Sequence, residues 1–217
     1  MSQPQYTLYV DKQFISPYAM SAFVALTEKN IPFALQTIDL ALRQNREAVY
    51  AGLSLTQRVP TLIDGAFRLS ESTAIAEYLE ERFAAPTHAP LYPPDVQQRA
   101  KAREIQAWLR SDLASIRQER PTEVVFFAEQ RLPLSDDAKI AKTKLVAACE
   151  TLLGDGAEHL FGTWCIADTD LALMLKRLLR NADQMPPKLA AYAERQWQRP
   201  AVQQWLQLVH QAQQADA

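Results

Sequence analysis

Cysteine and glycine are both scarce in this chain of 217 residues, at two and five respectively. Two thiols cannot cross-link a fold of this size, so the core must come from burial of apolar surface. Average usage of about 7% would supply about 15 glycines. Five speak against a chain of tight hairpins and phosphate-binding loops, and for helices. Charge of one sign is also lacking, since 23 basic and 25 acidic residues leave a net of −2. Up to Pro86 there are seven basic and nine acidic residues, so the N-terminal part carries that excess. No basic stripe suggests nucleic acid. No apolar run approaches the ~18 residues of a membrane span, and MSQPQYTLYVDKQF has no apolar stretch of a secretory signal. His88, His159 and His210 are scattered, no Cys/His spacing fits a metal site, and no Gly-rich phosphate motif occurs. These absences lead to the expectation of a cytoplasmic protein with reduced thiols, without nucleic-acid, membrane or metal partners.

What is present is ordinary globular composition, 48% hydrophobic and 22% charged, at a length that suits one large domain or two small ones. The first ~85 residues alternate strand and helix. Tyr6–Val10 is aromatic and β-branched and reads as a strand. Ser16 is a good N-cap, and Pro17 suits a first helical position, where its missing N–H costs nothing. Tyr18–Lys29 lacks Gly and Pro and reads as helix. Asn30 tolerates the left-handed conformation that ends a helix, and Pro32 blocks continuation. Phe33–Ile38 is a second strand, and Asp39–Gln57 is less regular. Asp64-Gly65 between two apolar runs signals a hairpin. A helix from about Glu71 to Phe83 follows, with Ile75, Tyr78, Leu79 and Phe83 spaced for one buried face.

The pattern then changes. Among 13 prolines, Pro86, Pro90, Pro93 and Pro94 fall within Ala84–Asp95, a linker that no helix can cross. Beyond it, strand signals almost vanish. Ala102, Ile105, Leu109, Leu113 and Ile116 form one helical stripe closed by Pro121. Further helices are expected over Ala138–Leu153, Cys165–Asn181, Pro187–Gln196 and Pro200–Gln211, with a Gln-rich C-terminus that frays.

An α/β domain, a proline-containing linker and an all-α domain, in that order, resemble the glutathione S-transferase superfamily. Ser16-Pro17-Tyr18 resembles its Ser-type active-site turn, Val59-Pro60 its cis-proline site, and Leu69-Ser70-Glu71-Ser72 its Glu/Asp-Ser motif. Ile166-Ala167-Asp168 resembles the start of the buried helix in its second domain, and Arg199-Pro200-Ala201-Val202 a common C-terminal pattern. QAWLRSDL, WCIADTDLAL and QWQRP resemble the bacterial YfcF-type transferases. The resemblance implies a thioredoxin-like domain over 1–84 (βαβ-α-ββα), a linker over 85–95 and a helical bundle over 96–217. It also implies a homodimer, and glutathione as a co-substrate rather than a permanently bound cofactor. The implied activity is attack of the glutathione thiolate on a small electrophile, with hydroperoxide reduction as a related reaction. A non-catalytic protein-binding module and a glutathione-dependent disulfide reductase are the rival readings.

Ser16 is then the candidate activator. A helix N-terminus favours an anion, and a hydroxyl donating to a thiolate lowers its pKa. The same residue also serves as an ordinary N-cap, and Tyr9 and Tyr18 are rival hydroxyls. The resemblance implies that Val59 pairs through its backbone with the peptide, beside a cis Pro60, and that Arg58 holds a terminal carboxylate. It implies that Glu71 and Ser72 take the amine and carboxylate of a γ-glutamyl group; otherwise Ser70 or Ser72 simply caps the helix. The family's Arg a few residues after the Ser is replaced by Ser21 and Ala22. Its usual Asn-Pro before the cis-proline is replaced by Leu53-Ser54-Leu55-Thr56-Gln57. Phe14, Trp108 and Ser111 are candidates for the acceptor pocket, expected between the domains. Asp168 reads as structural, completing a capping box with the weak partner Cys165. Neither Cys149 nor Cys165 falls at the active-site turn, which disfavours disulfide exchange.

Overall fold

The computed structural model describes residues 5–154 and 156–216. Two compact units divide between Leu91 and Tyr92, and the first also takes in the C-terminal segment from Pro200.

The first unit is built on a four-stranded sheet of order β2-β1-β3-β4, from β1 (Tyr6–Asp11), β2 (Phe33–Ile38), β3 (Thr61–Asp64) and β4 (Phe67–Ser70). β1 and β2 pair parallel, as a βαβ crossover through a helix demands. The other two pairs are antiparallel. Gly65 carries the positive φ of +58° that the β3–β4 hairpin needs. Helix α1 (Pro17–Glu28) begins at the expected cap, and its end follows the sequence reading: Asn30 is left-handed at φ +56°. Eight consecutive residues of α1, Ala19 to Leu26, are buried, which explains why it shows no polar face in the sequence. The irregular stretch holds a 3-10 turn (Gln44–Arg46) and the short helix α2 (Ala48–Ala51). Helix α3 (Ser72–Arg82) follows, with Ile75 and Leu79 fully buried.

The last helix, α10 (Pro200–Asp216), departs from the expected domain division at 96–217. It packs in the first unit, not with the helical bundle. Ala201, Val202, Trp205 and Val209 are buried along it, and the Trp205 ring lies 5.2 Å from Phe23 of α1 and 5.4 Å from Phe14. Helical periodicity shows that a face is buried but not against what, so the sequence could not assign this helix to a unit. The helix runs to Asp216, although its buried residues end at Val209.

The second unit, Tyr92–Arg199, carries α4 (Val96–Ser111), α5 (Ala114–Glu119), α6 (Thr122–Phe126), α7 (Asp136–Leu152), α8 (Ile166–Leu179) and α9 (Pro187–Trp197). The single helix expected up to Pro121 is broken at Asp112–Leu113. Leu113 is left-handed at φ +57°, and the Asp112 carboxylate accepts from the Leu113 N–H (2.8 Å) and from Trp108 Nε1 (2.9 Å). An Asp that takes local N–H donors in this way competes with the helix ladder. Within the segment 85–95, Leu91, Tyr92 and Pro93 are buried. Among the described residues no helix is long and apolar enough to cross a membrane.

Candidate active site

Strand register gathers three loops at one end of the sheet. Tyr9 of β1 pairs with Thr61 of β3, and Thr61 with Ser70 of β4. The residues just after β1 (to Ser16), just before β3 (Arg58-Val59-Pro60) and just after β4 (Glu71-Ser72) therefore share that end. Each loop contains a non-glycine residue at positive φ: Phe14 (+57°), Gln57 (+51°) and Glu71 (+72°). Such backbone costs of order 1–3 kcal/mol per residue and tends to gather at functional sites.

Ser16 is the N-cap of α1, with its Oγ accepting from the Ala19 N–H at 3.3 Å. A hydroxyl that accepts still has its own hydrogen to donate. The turn itself is organised by Asp11, which the sequence reading missed. Its carbonyl accepts from Phe14 N–H (3.1 Å), and its carboxylate oxygens accept from Ile15 (2.7 Å) and Ser16 (3.0 Å). Asp11 is 4% exposed, and burial pushes its carboxyl above the ordinary range against the opposing pull of those N–H bonds. An Asp closing an apolar strand, five residues before an N-cap Ser, was the signal available. Tyr9 lies within β1 and packs edge-on against Tyr50 at 5.6 Å, while Tyr18 lies in the first turn of α1. Ser21 and Ala22 are buried in α1.

The Val59–Pro60 bond is cis. A cluster of hydroxyls supports this loop. The Arg58 carbonyl accepts from Tyr50 Oη (2.8 Å), Thr61 Oγ1 (3.2 Å) and Ser54 Oγ (3.3 Å). Ser54 Oγ also lies 2.9 Å from Thr61 Oγ1 and 3.0 Å from Ser70 Oγ. Sequence reasoning assigned no role to Tyr50, Ser54 or Thr61 and offered Ser70 only as a helix cap. Small polar residues inside otherwise apolar segments were the clue. The Arg58 side chain is exposed.

Neither Ser70 nor Ser72 caps α3. Glu71 occupies the N-cap without a side-chain bond, the Ser70 hydroxyl is committed to the cluster, and Ser72 is 2% exposed. The Glu71 side chain is exposed beside the helix N-terminus.

Of the remaining candidates, Phe14 stands in the Ser16 loop, whereas Trp108 and Ser111 lie in the second unit. Phe14 packs edge-on against Trp205. Trp108 lines a cleft of ≈ 470 Å³ within the second unit, between α4 and α7, with Ile105, Ala148 and Leu152. Ser111 is exposed at the end of α4. Asp168 is fully buried at the start of α8, with Oδ2 accepting from Cys165 N–H (2.9 Å) and Oδ1 from Leu160 N–H (2.8 Å) and Tyr192 Oη (2.7 Å). Both cysteines are buried and free. Burial pushes the Cys149 thiol up to about 12, and burial together with the Asp168 charge raises Cys165 further. A buried, protonated thiol is a poor nucleophile, so neither suits a reductase that works through its own cysteine.

Two family models match this chain: "Glutathione S-transferase, N-terminal domain" over residues 15–82 and "Glutathione S-transferase, C-terminal domain" over residues 95–211. The chain belongs to the glutathione S-transferase family. It is similar to a Burkholderia glutathione transferase homolog solved with bound glutathione, at 44% identity over 95% of this chain and 98% of that one, with a TM-score of 0.79. It is also similar to a theta class glutathione S-transferase from Xanthomonas axonopodis pv. citri with glutathione bound (25% identity, 94% of this chain and 98% of that one, TM-score 0.72). Mouse glutathione S-transferase theta-1 is 34% identical over 106 residues, 49% of this chain and 42% of that protein. The match thus spans less than half the length of that curated relative.

Proposed function

We propose that this protein is a glutathione transferase of the Ser type, in which Ser16 activates the thiol of glutathione for attack on small electrophiles. The observation that carries the reading is the Ser16 hydroxyl at the N-cap of α1, its hydrogen free to donate, at the end of the sheet where the cis-proline and Glu71 loops also stand. A free thiol of pKa ~8.5 is only a few per cent ionised at pH 7, and lowering it by about two units needs roughly 2.7 kcal/mol of preference for the thiolate. A hydrogen bond to a charged group contributes about 1.5–3 kcal/mol, and a helix N-terminus about 0.3–1 kcal/mol. Together the two supply what is needed without a general base.

In this reading the Val59 backbone pairs with the extended tripeptide as an added strand, and Arg58 takes a terminal carboxylate. Glu71, Ser72 and the first N–H groups of α3 take the γ-glutamyl amine and carboxylate. The bound thiol releases its proton to solvent. With a chloronitroaromatic, sulfur forms a bond to the ring carbon and chloride leaves. With a hydroperoxide, the thiolate attacks oxygen, the O–O bond breaks and an alcohol leaves. The glutathione sulfur is left as a sulfenic acid, and a second glutathione thiol attacks it, forming the disulfide as the S–O bond breaks and water leaves. Phe14, two residues from Ser16, stands as a candidate for contact with the acceptor.

Conjugation of glutathione to a chloronitroaromatic tests the reading. Ser16→Ala is expected to lower kcat about 10²-fold, the cost of losing one donor to a developing or resident anion. Equal rates in the two proteins would remove Ser16 as the activator, and absence of glutathione binding to the wild type would remove the class. A homodimer is part of the same reading, and a sizing column should give twice the 24.5 kDa chain mass; a monomer peak would exclude it.

A further inference from the structure

We propose that Asp11 is a positioning residue for thiol activation: it fixes the Ser16 hydroxyl by taking up the three consecutive backbone donors that lead to it. The inference rests on the assignment of Ser16 above and deepens it. Phe14, Ile15 and Ser16 present their N–H groups in sequence, and all three go to one residue: the Asp11 carbonyl (3.1 Å), Oδ2 (2.7 Å) and Oδ1 (3.0 Å).

Two of those bonds are charge-assisted, which makes them roughly twice as strong as bonds between neutral groups. The carboxylate is 4% exposed, so water cannot readily substitute for it. Asp11 is itself anchored as the last residue of β1, paired with Ile38 of β2. The turn is thus tied to the sheet at one end and to the first turn of α1 at the other, where Ser16 Oγ accepts from Ala19 N–H. Between those ties Phe14 is held at φ +57°, a conformation a bulky residue adopts only when its surroundings over-determine it. Any loosening of residues 14–16 moves Ser16 Oγ directly. A displacement of about 1 Å costs on the order of 10²-fold in a reaction that depends on alignment.

Asp11→Asn keeps the shape and one acceptor oxygen but sets an NH2 against a backbone N–H. The test measures three things on folded protein: glutathione affinity by calorimetry, the pKa of the bound thiol from thiolate absorbance against pH, and kcat for chloronitroaromatic conjugation. Asp11→Asn is expected to leave affinity within about threefold, raise the bound thiol pKa by about one unit and lower kcat at neutral pH about tenfold, since a unit of pKa is tenfold in thiolate. In a Ser16→Ala background the same change should have no further effect on thiol pKa or kcat. A purely structural role would give losses that multiply in the double variant. If Asp11→Asn does not fold, Asp11→Glu is read in the same way, because the extra methylene moves both oxygens off their donors.

Unchanged thiol pKa and kcat in the folded variant, or an undiminished Asp11 effect without the Ser16 hydroxyl, overturns the inference while leaving Ser16 in place. A wild type that binds no glutathione, or that is indifferent to Ser16→Ala, overturns the assignment of Ser16 and this inference with it.

Discussion

Replacing Asp168 with Ala is expected to remove about 4 kcal/mol of folding stability, measured as a fall in the urea midpoint at constant slope. The side chain is fully buried and accepts three hydrogen bonds, from Cys165 N–H, Leu160 N–H and Tyr192 Oη. Truncation leaves three buried donors without an acceptor, and each such donor costs about 1–3 kcal/mol. The loss reaches beyond one helix end. Cys165 is the N-cap of α8, Leu160 lies in the preceding loop, and Tyr192 belongs to α9, so one carboxylate joins three segments of the second unit. The sulfur of Cys165 is a weak partner at the N-cap, and Asp168 makes the stronger half of that box. Tyr192→Phe removes a donor instead of an acceptor, and should cost about 1 kcal/mol, near the net value of one hydrogen bond. Domains of this kind typically hold 5–15 kcal/mol in reserve, so Asp168→Ala should stay folded in the cold and melt much earlier. A loss below about 1 kcal/mol would show that water or a relaxed loop takes over the three donors.

The contrast between Asp168 and Asp11 shows which parts of this molecule are legible in its sequence. The capping half of the Asp168 role could be read because it is local, three residues beyond an N-cap, whereas its bonds to Leu160 and Tyr192 left no mark in the sequence. The Ser16 cap and the Gly65 hairpin are legible for the same reason, since caps and tight turns write their geometry into neighbouring residue types; the cis bond at Pro60 was implied by the family resemblance. Asp11 was missed although it too acts within five residues, because it sits at the end of an apolar strand and its donors are backbone groups with no signature. The Tyr50, Ser54, Thr61 and Ser70 cluster was missed because the tertiary fold assembles it, bringing together residues 7 to 16 positions apart. Helix α10 failed in another way. Its existence was read from the sequence, but partner choice depends on Trp205 finding Phe14 and Phe23, nearly two hundred residues away. Periodicity also overlooked the break at Leu113, where a side chain competing for backbone donors outweighed an unbroken apolar stripe.

The second large effect is expected at Lys29, where Lys29→Met should cost about 3–5 kcal/mol, the range for removing one partner of a buried ion pair. The Lys29 side chain is 0% exposed and that of Glu80 9%, with Nζ and Oε2 2.8 Å apart. An ammonium group has three donors, and all three are used: Glu80 Oε2, the Phe83 carbonyl at 2.7 Å and the Ala89 carbonyl at 3.0 Å. Glu80 Oε2 also accepts from Leu91 N–H at 2.9 Å. The pair therefore links the end of α1 and α3 to the segment 83–91, a proline-containing stretch with no regular structure of its own. With methionine at position 29, Glu80 keeps a buried charge whose main counter-ion is gone, and two carbonyls lose their donor. The double change Lys29→Met with Glu80→Leu removes both charges, so it should cost no more than Lys29→Met alone, despite deleting more interactions. That non-additivity separates an ion pair from two independent contacts. Limited proteolysis gives a local reading of the same effect: cleavage within the exposed stretch Ala84–Pro90 should accelerate in Lys29→Met in step with the lost stability. A loss under about 1 kcal/mol, or a double variant whose cost equals the sum of the singles, would mean that the segment is held by Leu91 and its apolar neighbours and not by the charge pair.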